Sequence, residues 1–346
     1  DELIGGSGDD TFVFEDGASF DGTIDGGEGT DTLDYSLYTG DVEVDFTTGS
    51  ATGVRGGAAD SVSNIEAVGI GEGSYDITGN GEDSTASYAN AGGSVFLDLA
   101  AGVFEKTAAG LDALFGVSHL EGSDYNDQLV GDENANILDG GGGKDFLAGN
   151  SGDDTYRFRD DWGKDTIVEN ADEGTDILDF SAVTADLTFT FHADDDTVSV
   201  TDGTNFLKRV GNIEAIIDGS GNDTFLFEDG AVFIGTIGAG SLALQLLGIN
   251  ESGGGTNTLD FSRYTTAISV DLGITVPETQ ATILEHARTL DGSQTLIEHV
   301  YNIHNVIGGS EGDQIWGSFG DNVLVGGGGN DSLDGRDGTD TVSYTH

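Results

Sequence analysis

The sequence contains no cysteine and no methionine, a single proline, and only 11 lysine and arginine residues among 346. Without cysteine, neither disulfide bonds nor thiolate chemistry can contribute to stability or catalysis. The scarcity of basic residues excludes nucleic acid and anionic membrane surfaces as primary partners, because both require a basic face. Apolar runs are only a few residues long, so we expect no membrane insertion.

Acidic residues and glycine are instead abundant. There are 64 acidic side chains, which give a formal net charge of -53, and 58 glycines. A charge of this size opposes a compact state unless counter-charge is bound. Acidic disordered chains are poor in aromatic residues, whereas this sequence has 36% hydrophobic residues and 18 phenylalanines. We therefore expect a folded chain whose charge is balanced by bound cations.

A nine-residue repeat recurs along the chain. Residues 122–157 divide into four such nonapeptides, and residues 308–343 divide into four more. Position six is Asp or Asn, and position eight is apolar. Isolated copies lie at 5–13, 26–34 and 218–226, with a degenerate copy at 171–179. Fixed periods of this kind are typical of solenoids, in which each repeat packs only on its neighbours.

A longer module lies between the nonapeptides. Four stretches of 19 residues align without gaps, at 31–49, 84–102, 176–194 and 257–275. Each continues into an alternating apolar pattern that predicts a strand. A short segment, here called the anchor, follows each module: Asn64-Ile65-Glu66, His119-Leu120-Glu121, Asn212-Ile213-Glu214 and Asn302-Ile303-His304.

These repeats predict six segments along the chain. They are 1–68 (nonapeptides and first long module), 69–121 (second module), 122–157 (tandem nonapeptides), 158–217 (third module), 218–307 (fourth module) and 308–346 (tandem nonapeptides and the start of another module). Residues 1–4 read as the tail of a preceding repeat, so we expect a fragment of a longer repetitive protein. Unpaired strands at the ends of such a fragment favour end-to-end self-association.

Two stretches interrupt the strand pattern. Pro277 precedes Ala281, Leu284, Ala287 and Leu290, whose spacing predicts a helical insertion near 277–290. A second short helical insertion is predicted at 105–115.

The nonapeptide has the composition of a calcium-binding turn. The pattern G-G-x-G-x-D-x-U-x is typical of Ca²⁺-binding β-helix repeats. Glycine permits the positive φ of a sharp turn, and the Asp adds a carboxylate. Ca²⁺ takes six to eight oxygen ligands, which carboxylates and carbonyls can supply. No soft ligand set is present, so Zn and Cu are disfavoured.

In these residues the chain resembles the RTX family of haemolysin-type calcium-binding repeats. The resemblance implies an all-β fold, a right-handed parallel β-solenoid or calcium β-roll in which two nonapeptides form one turn. It also implies Ca²⁺ between turns, held by position-six residues two repeats apart. The implied pairs are Asp127 with Asp145, Asp313 with Asp331, Asn136 with Asp154, and Asn322 with Asp340. Asp10, Asp31, Asp176 and Asp223 of the isolated copies are further candidate ligands, whose partners remain open.

The resemblance implies a secreted, extracellular or cell-surface location and folding on Ca²⁺ binding outside the cell. We expect a structural segment of extender, adhesin or surface-layer type, exported by type I secretion. One alternative is an accessory region of a secreted enzyme. Another is a calcium-dependent carbohydrate-binding adhesin module, in which Trp162 or Trp316 stacks on a polysaccharide.

We do not expect an enzyme. Paired carboxylates suffice for glycoside hydrolysis, but chance pairs are unavoidable among 64 acidic residues. No phosphate loop ending in Gly-Lys-Ser/Thr is present. His286, His299 and His304 lie close together in sequence, and we expect them to be solvated or packed rather than to bind a transition metal.

Overall fold

The computed structural model describes residues 1–81, 84–106, 112–171, 174–237, 254–272, 286–289, 295–300 and 303–344. Throughout these residues the regular structure consists of β-strands. The first strands are β1 (Glu2–Ser7), β2 (Thr11–Val13), β3 (Thr23–Glu28), β4 (Thr32–Asp34), β5 (Val42–Asp45), β6 (Ser50–Ala51), β7 (Val62–Ser63), β8 (Ala67–Gly69), β9 (Tyr75–Thr78), β10 (Thr85–Ser87), β11 (Val95–Asp98), β12 (Val103–Lys106), β13 (Ala113–Phe115), β14 (His119–Glu121), β15 (Gln128–Val130), β16 (Ile137–Asp139), β17 (Phe146–Ala148), β18 (Thr155–Arg159) and β19 (Thr166–Val168). They are followed by β20 (Ile177–Ala182), β21 (Thr188–Phe191), β22 (Val198–Thr201), β23 (Phe206–Val210), β24 (Ala215–Ile217), β25 (Thr224–Phe227), β26 (Phe233–Ile237), β27 (Asn257–Asp260), β28 (Ile268–Asp271), β29 (His286–Thr289), β30 (Thr295–Val300), β31 (Ile303–Ile307), β32 (Gln314–Trp316), β33 (Val323–Val325), β34 (Ser332–Asp334) and β35 (Thr341–Ser343).

The chain forms two compact units. The first comprises Asp1–Arg157 and Asp161–Gly174, and the second comprises Phe158–Asp160 and Thr175–His346. In the first unit, β2-β4-β8-β10-β14-β16-β18 lie side by side, as do β12-β11-β15-β17-β19, β13-β9-β5-β6 and β1-β3-β7. In the second unit, the neighbours are β20-β24-β26-β30-β29-β28-β32-β34 and β23-β22-β21-β25-β27-β31-β33-β35.

Each tandem nonapeptide contributes one short strand, and consecutive nonapeptides alternate between two sheets. Strand β15 pairs in parallel with β17, with Leu129 opposite Leu147. Strand β16 pairs in parallel with β18, with Leu138 opposite Tyr156. Both registers place residues 18 positions apart side by side. Two nonapeptides therefore form one turn, and the all-β parallel architecture predicted from the sequence is confirmed.

Position eight of the nonapeptide forms the core. Successive strand residues point to opposite faces, so only the central residue of a three-residue strand faces the other sheet. Leu129, Leu138, Leu147 and Tyr156 are fully buried. Full burial of such a side chain contributes about 1.5–3 kcal/mol, but each nonapeptide supplies only one. The core is thus thin relative to the length of the chain.

Stacked aromatic rings join the long modules to the turn before them. In the first unit, the rings of Phe14 and Tyr35 stack with centroids 4.7 Å apart. In the second unit, Phe227 stacks on Phe261 at 4.8 Å. Nearby, the Thr39 backbone N–H donates to Asp16 at 3.0 Å. The equivalent bond in the second unit joins Thr265 to Asp229 at 2.8 Å. The same apolar and polar contacts therefore start two different modules.

The long modules extend the parallel stack with antiparallel strands. Strand β11 pairs with β12 in the first unit. In the second unit, β21 pairs with β22 and β22 with β23. Strand β28 pairs with β29, which in turn pairs with β30. These added strands cover strand edges that would otherwise carry unpaired backbone groups.

The predicted helical insertions are wrong where the structure describes them. Residues 286–289 form β29, which pairs with β28 from Ile268↔Thr289 to Asp271↔His286. Tertiary pairing with an existing strand edge overrides the weak helical periodicity there. Residues 277–285 and 290 lie outside the described residues. In the second stretch, 105–106 belong to β12 and 113–115 form β13, while 107–111 lie outside the described part.

Candidate metal centres

The Asp or Asn at position six connects neighbouring turns. In each tandem pair, Oδ1 of the later residue accepts a hydrogen bond from the backbone N–H of the earlier one, 18 residues before it. The donor–acceptor distances are 2.7 Å for Asp127–Asp145, 2.8 Å for Asn136–Asp154, and 3.0 Å for both Asp313–Asp331 and Asn322–Asp340. The structure thus brings together all four pairs that the resemblance implies.

The second carboxylate oxygen lies over position one of its own nonapeptide. Oδ2 of Asp127 accepts the backbone N–H of Ser123 at 2.6 Å. A Cβ added to Gly122 would lie 2.7 Å from this oxygen and 2.6 Å from the carbonyl oxygen of Gly140, one turn later. Glycine is therefore required at this position, since any side chain would fill the point on which the two oxygens converge; the isolated copies at 171–179 and 218–226 have Ala171 and Asp218 there instead. The same convergence of a position-six oxygen and a carbonyl oxygen from the next turn occurs over Gly5, Gly131, Gly308 and Gly317.

Position five links turns in the opposite direction. Oδ1 of Asp9 accepts the N–H of Thr30 at 2.8 Å, and Oδ1 of Asp321 accepts the N–H of Thr339 at 2.7 Å. Position five thus reaches the following turn, whereas position six reaches the preceding turn. The hydrogen bonds of positions five and six keep neighbouring turns aligned, and they add no side chain to the core.

The structure also assigns partners to the isolated copies. An acceptor on the next turn receives the backbone N–H of each position-six residue: Asp10 donates to Asp31 at 2.8 Å, Asp31 to Glu66 at 2.9 Å, Asp176 to Glu214 at 2.8 Å and Asp223 to Asn257 at 2.9 Å. In the first tandem block, Asp145 likewise donates to Asp165 at 2.9 Å.

Sequence reasoning did not identify the acceptors Glu66, Asp165, Glu214 and Asn257 as part of this edge. Their separations from the donors are 35, 20, 38 and 34 residues, none of which is a multiple of nine. The recurrence of Asn-Ile-Glu in two anchors is the signal that could have found two of them.

Comparison with protein families agrees with this geometry. The family described as RTX calcium-binding nonapeptide repeat (4 copies) matches residues 1–21, 121–156 and 307–342. These segments are RTX calcium-binding nonapeptide repeats. The match includes both tandem blocks and the isolated copy at 5–13, but not the copies at 26–34, 171–179 and 218–226. Among curated proteins, none matches the sequence significantly.

Burial raises the pKa values of several carboxyl groups that connect neighbouring turns. Desolvation raises the pKa of Asp154 to about 7 and that of Asp313 to about 6. The pKa of Asp223, in an isolated copy, is also raised by burial to about 6. Burial likewise raises the pKa values of the neighbouring Asp145 and Asp165; the charge of Asp165 adds to the shift of Asp145, and the charge of Asp139 adds to that of Asp165. The native arrangement therefore disfavours negative charge where no counter-charge is bound.

The oxygen atoms of this edge fit calcium. Oδ2 of Asp10, Asp31, Asp145 and Asp223 is buried and has no hydrogen-bond partner. A buried carboxylate oxygen without a partner is costly, and a hard divalent cation satisfies such oxygens. Carboxylate, amide and carbonyl oxygens make up the donor set, which is the set that Ca²⁺ prefers over softer metals. RTX nonapeptide repeats are calcium-binding motifs, and bound Ca²⁺ would supply positive charge here.

The histidines have other surroundings. Nδ1 of His304 accepts the backbone N–H of Asn257 at 3.3 Å, while the side chains of His286 and His299 lie outside the described residues. A different group, His192, Asp194 and Glu228, brings one ligand atom from each within 4.8 Å. Arg209 already donates to Asp194 at 2.8 Å, so a positive charge is already present in that group.

Two further predictions concern the surface. Trp162 is only 2% exposed, so its predicted role in stacking on a polysaccharide is wrong. Its ring belongs to the core, and Trp316 is half-buried. Within the described residues, the structure contains no helix with the length and hydrophobicity needed to cross a membrane.

Proposed function

We propose that this chain is a calcium-dependent structural segment of a secreted bacterial protein, of the extender, adhesin or surface-layer type. It folds when Ca²⁺ binds outside the cell, and it has no catalytic role. The observation that carries this proposal is the ladder of buried position-six carboxylates, each shared between neighbouring turns.

The charge distribution supports folding on calcium binding. Asp154, Asp223 and Asp313 of the ladder are buried and have raised pKa values, so without cations they oppose the fold at neutral pH. Each nonapeptide adds only one apolar side chain to the core. Binding free energy at sites of this kind is then also folding free energy.

The calcium affinity that we expect for these sites supports an extracellular role. Modules that bind calcium outside cells have dissociation constants of about 10⁻⁴ to 10⁻³ M, whereas cytosolic sensors bind more tightly. A chain with sites in the weak range remains unfolded where calcium is scarce and folds after export. The absence of cysteine leaves calcium, rather than disulfides, as the extracellular stabiliser.

Circular dichroism during calcium titration tests this proposal. The chain is first stripped with EDTA, then titrated with Ca²⁺, with Mg²⁺ as the control. We expect a cooperative gain of β signal with Ca²⁺ alone, because Mg²⁺ demands a tighter octahedral geometry. Sedimentation velocity on the same samples shows whether the folded form is a monomer or self-associates. A chain that is already folded in EDTA and indifferent to Ca²⁺ would rule out the proposal.

A further inference from the structure

The anchor of the first long module takes the place of an RTX nonapeptide in the row of position-six side chains that connects neighbouring turns. Oε2 of Glu66 accepts the backbone N–H of Asp31 at 2.9 Å. This is the bond that Asp145 accepts from Asp127 in the tandem block. Glu66 therefore occupies the position of the next position-six carboxylate, although the anchor has no Gly-rich turn and lies outside the matched RTX segments.

The anchor also replaces the carbonyl oxygen that a following nonapeptide would supply. A Cβ added to Gly26 would lie 2.4 Å from Oδ2 of Asp31 and 1.9 Å from the carbonyl oxygen of Asn64. The two oxygens thus converge over Gly26 as those of Asp127 and Gly140 converge over Gly122. Asn64 has a left-handed backbone, with φ of 50°, a conformation that Asn tolerates better than most residues.

The Asp31 oxygen that lies over Gly26 has no hydrogen-bond partner. The Asp31 side chain is fully buried, and its Oδ2 has no hydrogen-bond partner. Its other oxygen, Oδ1, accepts the N–H of Asp10 at 2.8 Å. A buried carboxylate oxygen that faces a carbonyl oxygen is repelled by it, so the arrangement needs a cation between them.

The third module repeats the hydrogen bonds of this arrangement, although position one of its nonapeptide copy is Ala171. Oε2 of Glu214 accepts the N–H of Asp176 at 2.8 Å, and Asn212 has φ of 57°. The backbone contacts also agree. The N–H groups of Glu66 and Ala67 both donate to the Asp31 carbonyl at 3.0 Å, and those of Glu214 and Ala215 donate to the Asp176 carbonyl at 3.0 and 3.1 Å.

We propose that Asp31, Glu66 and the carbonyl oxygen of Asn64 form a calcium site outside the RTX nonapeptides. The anchor sequence Asn-Ile-Glu thereby continues the calcium ladder from a nonapeptide into a long module. This inference rests on the proposed calcium-dependent function and extends it to segments that the RTX pattern does not cover.

The substitution Glu66→Gln tests the site in the full chain. Glutamine keeps an oxygen that can accept the Asp31 N–H but removes the negative charge. If Glu66 only accepts this hydrogen bond, the substitution will leave calcium binding unchanged. The control is Glu121→Gln in the second anchor, which removes the same charge outside this site, since the counterpart of Glu66 there is Ser118, whose N–H donates with that of His119 to the Ser84 carbonyl. The measurement is the number and affinity of calcium ions bound per chain, by equilibrium dialysis with radioactive calcium.

We expect Glu66→Gln to lose one ion, or to weaken one site about tenfold, since ligand charge sets calcium affinity. Glu121→Gln should bind as many ions as the wild type. Unchanged stoichiometry and affinity in Glu66→Gln would overturn the inference while leaving the proposed function intact. A wild-type chain that binds no calcium would instead reject the proposed function. If Glu66→Gln does not fold, Asp31→Asn provides the same comparison, because Asn occupies position six in other repeats.

Discussion

Replacing Asp145 by Asn should change stability in opposite directions with and without calcium. Asp145 lies between Asp127 and Asp165 in the first tandem block, with Oδ1 hydrogen-bonded and Oδ2 buried without a partner. Asn keeps the Oδ1 acceptor and nearly the same shape. It also occurs naturally at position six, at Asn136 and Asn322. The substitution therefore removes mainly the charge.

Without calcium, Asp145→Asn should stabilise the fold by about 1–3 kcal/mol at neutral pH, the usual cost of a buried polar group that lacks a partner. Burial and the charge of Asp165 raise the pKa of Asp145, which indicates the same sign. With calcium at about 100 times the dissociation constant, each site adds about 2.7 kcal/mol to the native state. Losing one such site therefore reverses the sign of the effect wherever the calcium-free gain is below about 2.7 kcal/mol.

The assay is urea denaturation of the wild type and the variant in saturating Ca²⁺ and, in EDTA, the gain of β signal in circular dichroism as the stabilising osmolyte sucrose is added. The reciprocal control is Asn136→Asp in the neighbouring nonapeptide, which adds a carboxylate next to Asp154 and removes the Asn136 Nδ2 bond to the Ser118 carbonyl. It should destabilise the fold in EDTA and increase calcium affinity. If Asp145→Asn destabilised the chain equally in both solutions, its charge would not be part of a calcium site and our reasoning would be refuted.

Three further outcomes are expected. Gly140→Ala should cost about 1–3 kcal/mol by denaturant midpoint in calcium, since its Cβ would lie 2.7 Å from Oδ2 of Asp145. Gly142→Ala, with its nearest contact at 3.4 Å, should have little effect, and equal costs would contradict the role of position one. Leu138→Ala should cost about 2–5 kcal/mol because the side chain is fully buried, whereas the exposed Val323→Ala should cost less than about 0.5 kcal/mol. In EDTA, the raised pKa values of Asp154, Asp223 and Asp313 mean that the native state binds more protons than the unfolded state. Their contribution is complete below about pH 4 and lost as pH rises through about 6 to 7, so the β signal in circular dichroism in EDTA should fall between pH 5 and pH 8. A β signal that rises over this interval would contradict that sign.

The regular part of the fold could be predicted from the repeat length together with the family resemblance. The resemblance implies two nonapeptides per turn, which places residues 18 apart side by side, as Leu129 and Leu147 are. Position eight then belongs to the core by strand alternation alone. The same period identifies the four tandem pairs of position-six residues.

The irregular part could not be predicted from a period. Asp31 contacts Glu66 at a separation of 35 residues, which depends on the length of a module and its hairpin. The segment around β29 has a spacing that suits one face of a helix, yet residues 286–289 pair with β28. In such short segments, local propensity is weaker than the demand of an open strand edge for hydrogen-bonding partners.

The aromatic stacks at the starts of the modules have a consequence for how the chain finds its alignment. A block of near-identical nonapeptides is degenerate: sliding one strand by a whole turn would still place apolar residues on apolar residues and carboxylates beside backbone N–H groups. A slip of this kind costs little wherever the pattern repeats. The stacks of Phe14 on Tyr35 and of Phe227 on Phe261 use rings at the place where tandem nonapeptides have glycine, so a slip into a tandem block would lose them. The long modules thus fix the strand register, and they limit misalignment to the few turns between them.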